Sequence, residues 1–366
     1  MNLLIFSSDI EYLGDIPLDK SVIEMTWKDC SRELGTFSFI IQPNDSNRQT
    51  LIGMLVKENI VYIGGSRAGI IKTAIKRVTD SGIEQIEVGG KLSEEYLERR
   101  INWGKVSYEG KHVDTAMREM VANAVTAPSN KNRKISTVQL GTDYSVTDEV
   151  DYQDSYGNLL EDLYAIGKTT DYLFDLALDP AEKMFSFNVF KGVDRTVGQS
   201  DRDPVVFTRK LNNVISLEYT DSNIDYKNTA LVGGQGEDTA RVTKSVNDSN
   251  VGLDRYELFV DARDLSQTDE DGTAISDSSY KKLLAQRGLE KLEETPEYKT
   301  LDGEYSVEGY MPDEITVGDK VTVMETDWGL TMDAEITIKE TRWEAGSYES
   351  VTLTFGNNIP TLLDKK

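Results

Sequence analysis

The first hundred residues alternate apolar and polar positions over short runs. In 36–42, Phe37, Phe39 and Ile41 share one face, and 21–28 alternates in the same way. A period of two is that of a half-buried strand. Arg32-Glu33-Leu34-Gly35 reads as the turn between these strands. Further strands are predicted over 59–63, 69–77 and 82–88, punctuated by Gly64-Gly65 and Asp80-Ser81-Gly82. Many short strands with regular turns indicate a barrel or a sandwich.

The period then lengthens. A helix is predicted over 93–101, opened by Ser93 as N-cap, with Glu94 and Glu95 in its first turn. A stronger one covers 112–125, where Val113, Ala116, Met117, Met120, Val121 and Ala124 fall on one face. Ala127-Pro128-Ser129-Asn130 stops it. A basic loop follows over 130–134. A third helix, over 158–167, carries Leu159, Leu160, Leu163 and Ile166. The runs 172–178 and 184–190 form a hairpin around Asp179-Pro180-Ala181-Glu182. Roughly 104–200 is therefore a mixed stretch between two β regions.

The last third returns to β, with strands over 205–207, 214–219 and 227–232. The polar, acidic 266–277 reads as a mobile loop. An amphipathic helix follows over 277–293, capped by Ser276 or Asp277. The runs 320–325, 330–342 and 348–355 make a closing meander, turning at Asp327-Trp328-Gly329 and Glu344-Ala345-Gly346-Ser347. No tandem repeat is detectable by identity.

Composition narrows the partners. A chain of 366 residues is long for one core and suggests two or three domains. Its 64 acids against 40 bases give a net charge of −24. That balance argues against a grip on phosphate backbones or on anionic lipid. With 38% hydrophobic residues the acidity does not signal disorder. Cys30 is the one cysteine and His112 the one histidine, which excludes an internal disulfide framework, a cysteine zinc cluster and a multi-histidine metal site. No run approaches the ~20 apolar residues of a membrane helix. The opening Met-Asn-Leu-Leu-Ile-Phe reads as a first strand and not as a signal peptide. A soluble, disulfide-free product made in the cytoplasm is expected.

Several motifs invite a chemical reading and are outweighed by a plainer one. The glycines of Leu231-Val-Gly-Gly-Gln-Gly-Glu follow a strand, as a phosphate cradle would. The next residues, Glu237 and Asp238, repel phosphate, so a turn with positive φ or a bulge is expected instead. Gln267-Thr-Asp-Glu-Asp-Gly272 resembles the start of a calcium loop but places Gln267 first and Ser278 twelfth, where a bidentate Glu belongs. Nothing brings Cys30 to His112, and no Gly-x-Ser-x-Gly elbow occurs. With 64 acids, any carboxylate spacing can be found, so none is informative. The basic run Ser-Asn-Lys-Asn-Arg-Lys at 129–134 reads as a solvated loop or as a partner for an acidic neighbouring subunit. No catalytic, cofactor-binding or metal-ligating residue is assigned, no cofactor is expected, and the chain is not read as an enzyme.

One ordered set of segments carries a resemblance. It runs Phe-Asn-Val-Phe-Lys-Gly-Val-Asp-Arg-Thr from Phe187, then Asp-Pro-Val-Val-Phe-Thr, Asn212-Asn213-Val214 and Glu218-Tyr219. Tyr-Lys-Asn-Thr-Ala-Leu-Val-Gly-Gly-Gln-Gly-Glu and Arg241 follow, then Arg255-Tyr-Glu-Leu-Phe-Val-Asp-Ala-Arg263 and Gln286-Arg287-Gly288. Val317-Gly318-Asp319-Lys320-Val321 and Leu353-Thr354-Phe355-Gly356 complete it. This order resembles the siphovirus and prophage tail protein family of the baseplate hub, over about 1–357 and most strongly over 187–357. The resemblance implies a fold like the hub of contractile phage baseplates: a β-rich α+β chain with two tube-type β-barrels and a mixed insertion. Three chains would set six barrels in a ring, matching a hexameric tube above and a trimeric fibre below.

On that basis 1–103 is expected to be the first barrel, 104–205 the α+β insertion, and 206–366 the second barrel with a helix at 277–293. The function expected is a structural hub in the virion tail, a homotrimer bound to a distal tail protein or tube ring on one side and to a tip or receptor-binding fibre on the other. DNA would pass through without specific binding, and the chain would not insert into a membrane. An acidic wall suits passage, because it repels phosphate. Residues 254–349 hold 25 acids and 10 bases, so that span supplies most of the excess. The chain ends soon after Phe355-Gly356, unlike lysin-bearing forms of the family. Arg195, in Val-Asp-Arg-Thr, is read as a structural partner for carboxylates across a boundary. Two other classes stay open: a cell-wall glycan or peptide hydrolase with two acids in a groove, and a carbohydrate-binding adhesin with exposed aromatics in a row.

Overall fold

The computed structural model describes residues 2–268, 273–305, 315–347 and 349–356. The first β region holds strands β1 (Asn2–Phe6), β2 (Tyr12–Pro17), β3 (Val22–Cys30), β4 (Thr36–Ile41), β5 (Ile60–Gly64), β6 (Arg67–Val78) and β7 (Glu84–Leu92). The short helices α1 (Leu18–Ser21) and α2 (Arg48–Met54) interrupt it. Its strands lie in the order β3-β4-β7-β6-β5-β1-β2. Alternation sets the core: Phe37, Phe39 and Ile41 point inward from β4, as expected, and meet Trp27, Val88 and Ile5. Trp27 stacks on Phe37 with centroids 5.3 Å apart. Gly90 sits under the Phe37 ring, where a Cβ would strike both that ring and the Ile70 carbonyl.

The opposite faces of β1, β5 and β6 are buried too. Phe6, Ile60 and Ile70 belong to a second core shared with the insertion. That insertion holds α3 (Glu95–Glu98), β8 (Lys105–His112), α4 (Val113–Val121), β9 (Val138–Leu140), β10 (Glu149–Ser155), α5 (Leu159–Thr170), β11 (Leu173–Asp179) and β12 (Met184–Phe190). All six apolar residues expected on one face of the second helix are buried here. The helix proper stops at Val121, and a π-helical turn, Ala122–Thr126, carries the chain on. Asn158 caps α5, accepting from the Leu160 and Glu161 amides. The helix expected over 93–101 is a single turn. Ser93 does not cap it; its hydroxyl donates to the Leu176 carbonyl at 2.6 Å, which ties the segment to β11. The β8–β10 pair was not anticipated.

The remainder holds β13 (Asp194–Arg195), β14 (Val206–Phe207), β15 (Val214–Ser222), β16 (Thr229–Gly233), β17 (Thr243–Val246), β18 (Glu257–Asp261), α6 (Asp277–Glu293), β19 (Tyr298–Tyr305), β20 (Lys320–Glu325), β21 (Leu330–Glu344) and β22 (Ser350–Gly356). Val321, Val323, Ile336, Leu353, Phe355 and Phe207 build a third core. Strand β21 pairs with β22 and β20, and its C-terminal half pairs with β3, from Ile338 opposite Cys30 to Glu344 opposite Glu24. The two β regions are thus one continuous sheet, running β15-β19-β22-β21-β3 and on to β2.

Helix α6 belongs to a fourth core. It is capped by Ser276, whose side chain accepts from the Ser279 amide. Its apolar side, with Tyr280, Leu283 and Leu284, packs on the three-stranded sheet β17-β16-β18. The glycine segment after β16 confirms a turn but corrects its cause. Only Gly236 there has positive φ, at 107°. Gly233 and Gly234 are needed for close approach instead: a Cβ on Gly234 would lie 3.0 Å from Leu284 Cδ2 and closer still to the Tyr280 hydroxyl. Gly234→Val is expected to lower stability by about 1–3 kcal/mol through overpacking. A thermal melt checks it; an unchanged midpoint would contradict the packing described.

Candidate functional site

The motifs singled out in the sequence do not assemble into a catalytic centre. In the glycine segment the amides are already used: Gly234 N donates to Val242 O at 2.8 Å and Gln235 N to the Tyr280 hydroxyl at 2.8 Å. Arg241 closes the loop, donating to the Gly233 and Gly234 carbonyls. The Gly234 and Gln235 amides are therefore engaged within the fold. Cys30 lies partly buried at the end of β3, and burial pushes its thiol up to about 12, the reverse of an activated nucleophile. His112 is exposed at the N-cap position of α4 and is not among the residues around Cys30. Of the calcium-like loop, positions 269–272 lie outside the described residues. Among the described residues, no group of three or more His, Cys, Asp or Glu is arranged to hold a metal ion.

The functional geometry lies instead where the cores meet. Arg32, read from the sequence only as part of a turn, ties three elements. Its guanidinium bonds Glu335 on β21 through two nitrogens at 3.3 and 2.9 Å, and donates to the Gly167 carbonyl near the end of α5 at 2.5 Å. A cation suits a helix C-terminus, where unpaired carbonyls concentrate negative partial charge. Arg195 meets Asp319 at 3.3 Å, with both side chains largely buried. Asp319 also accepts from the Val193 amide, so it fastens the end of the insertion to the start of β20.

A cavity of about 340 Å³ opens between the first β region, β11 and the loop before β20. Glu94, Asp175, Asp29 and Lys339 face it. Burial, reinforced by Asp175 and Asp29, raises the Glu94 carboxyl to about 7. Burial likewise raises Asp175 and lowers the Lys339 ammonium.

A second cleft separates the insertion from α6. Asp162 on α5 accepts from Asn102 Nδ2 at 2.5 Å, and Asp154 on β10 crowds it. Both carboxyls lie over Gly157, where a Cβ would displace their oxygens. Burial, with the Asp154 charge next, raises Asp162 to about 7. Glu290 on α6 is raised to about 7 by burial, although Arg287 beside it works against that. Of these junctions the sequence pointed only to Arg195, as a partner for carboxylates across a boundary; the members of the others are scattered singly along the chain.

No curated protein sequence matches the chain. A family model described as Siphovirus ReqiPepy6 Gp37-like protein matches residues 2–357. Among solved structures the chain is similar to the prophage MuSo2 43 kDa tail protein from Shewanella oneidensis, at TM-score 0.60 and 13% identity over 97% of this chain and 98% of that one. It is similar to a tail protein from Neisseria meningitidis MC58, at TM-score 0.57 and 12% identity over 98% and 96%. It is also similar to prophage tail protein gp18 from Listeria monocytogenes, at TM-score 0.56 and 12% identity over 100% and 97%. At these identities the likeness is one of fold.

Two outcomes follow from the junctions. Glu94, Asp162 and Glu290 have raised folded-state pKa values, so the folded chain holds protons that the unfolded chain has released. Their stabilising contribution is full below about pH 4 and is lost as pH rises through about 7. The melting temperature is therefore expected to fall between about pH 5 and 8, and Asp162→Asn to flatten that slope. A midpoint that rises over this range would contradict the assignment. Arg32→Ala, which strands Glu335, is expected to cost about 1–3 kcal/mol in a denaturant titration; no loss would mean that the three-way tie is idle.

Proposed function

The chain belongs to the Siphovirus ReqiPepy6 Gp37-like protein family, a family of siphovirus tail proteins, and from that premise we propose that it is the structural hub of a tail baseplate. In this reading three copies close into a ring that joins the distal tail protein or tube ring to the tip or fibre. Residues 1–103 and 206–366 supply the two tube-type barrels, and 104–205 the insertion. The protein acts in the virion tail after synthesis in the host cytoplasm, and it carries no catalytic role.

The observation that carries the reading is the pairing of β21 with β3. It sets two β cores side by side in one sheet within one chain. A chain that presents two such units offers six in a trimer, which suits a sixfold tube on one side and a threefold tip on the other. The net charge of −24 fits a conduit. A wall with excess carboxylate repels DNA phosphates, so a passing genome is not retained.

Light scattering on the purified chain tests the ring. A mass near three times 41.0 kDa is expected. A single-chain mass at every concentration, with and without a distal tail protein, would overturn it. A ring whose lumen proved neutral or basic would overturn the conduit and leave the hub.

A further inference from the structure

The charge of this acidic chain is uneven. The loop that follows α4 and its π-helical turn is basic, with Lys131, Arg133 and Lys134. Asn130 shapes it: its side chain accepts from the Asn132 amide at 3.0 Å and closes a single 3-10 turn, Lys131–Arg133. Arg100, just after α3, meets that turn, and the two segments clasp each other through their arginines. Arg100 Nε donates to the Arg133 carbonyl at 3.0 Å, and Arg133 donates to the Ile101 carbonyl. Arg133 also lies over the Trp103 ring, 4.3 Å from its centroid, and Trp103 is 54% exposed. Stacking fixes the plane of the guanidinium and keeps its in-plane donors available.

These two arginines differ from most others in the chain. Arg32, Arg195 and Arg287 hold carboxylates, and Arg99, next to Arg100, holds Glu58 and Glu95. Among the described residues no carboxylate pairs with Arg100 or Arg133, whose partners are main-chain carbonyls. Each guanidinium carries five N–H donors, more than these carbonyls accept. Burial, then the Arg99 charge, lowers Arg100; burial, then the Arg100 charge, lowers Arg133. Cations held side by side repel each other, and an incoming anion relieves both.

We propose that Arg100 and Arg133, flanked by Lys131 and Lys134, dock a carboxylate-rich segment of a neighbouring protein in the tail. The planar fork of a guanidinium matches a carboxylate through two parallel bonds. A groove of about 520 Å³ beside Arg133, lined also by Trp103, Tyr108, Asn123 and Ser129, gives the segment room. The two acids of that groove are already engaged, Glu109 by Ser279 and Glu119 by Lys111, so neither claims the arginines. Scale favours protein over nucleic acid. A few cations on one loop and its neighbour suit a short acidic segment. A duplex presents one phosphate per about 1.7 Å and would soon run onto the acidic surface of a chain of charge −24. All of these residues belong to one chain, so the site stands whether or not three copies close into a ring.

Fluorescence anisotropy of a dye-labelled hexaglutamate peptide, titrated with the full chain, tests the site. Binding is expected at about 50 mM salt and is expected to fade by about 500 mM. Arg100→Ala with Arg133→Ala is expected to weaken it about tenfold or more. Those side chains also clasp the fold, so a second variant, Lys131→Glu with Lys134→Glu, changes two exposed side chains instead and is expected to weaken binding as well. Lys57→Ala with Lys244→Ala removes two exposed charges elsewhere and is expected to leave binding as it is. No binding by the wild type, undiminished binding in either site variant, or an equal loss in the Lys57 and Lys244 control would overturn the site. An oligothymidylate of the same length bound as tightly as the peptide would overturn its assignment to carboxylates.

Discussion

Strand β21 is the element on which the arrangement of the chain depends. Its N-terminal half pairs with β20 and sends Ala334 and Ile336 into the third core. Its C-terminal half pairs with β3, and Trp343 packs against the first core. One strand of 15 residues is therefore a member of two β units. The partners lie about three hundred residues apart in sequence, so the pairing must offset a large loop-closure entropy. It does so with a full ladder of backbone bonds, reinforced beside it by the Arg32–Glu335 ion pair. Without that seam each unit would keep its own core but lose its fixed neighbour.

The chain joins its parts in two chemically different ways. The insertion shares an apolar core with the first β region, because β1, β5 and β6 bury both faces. Apolar burial is non-directional and fixes that pair firmly. The segment 229–293 meets the insertion through an ion pair and hydrogen bonds, among them Arg287 to Asp154, Gln286 to Thr169 and Ser279 to Glu109.

Much of this was legible where local pattern and burial coincide. Phe37, Phe39 and Ile41 alternate because one face of β4 is core, and Val113 to Ala124 recur at helical spacing because one face of α4 is. Asn158 and Ser276 announced their helices through capping chemistry. Where tertiary contacts compete, the local pattern misled. Ser93 has the look of an N-cap but spends its hydroxyl on Leu176. Strands β8 and β10 alternate only through Val106 and Tyr108 and through Val150 and Tyr152, two apolar positions each, a run too short to stand out in the sequence. The seam between β3 and β21, the three-way tie of Arg32 and the carboxyl cluster of Asp154, Asp162 and Glu290 are products of long-range placement, and no spacing rule encodes them. The hub reading came from an ordered resemblance, not from periodicity.

The most direct measurement is an image of the assembled tail with this chain labelled, for instance by electron microscopy of particles carrying a tag on it. The account predicts label at the distal end, in a ring with threefold symmetry around an open or openable channel. Label along the tube, on the head, or at a single asymmetric position would contradict the hub.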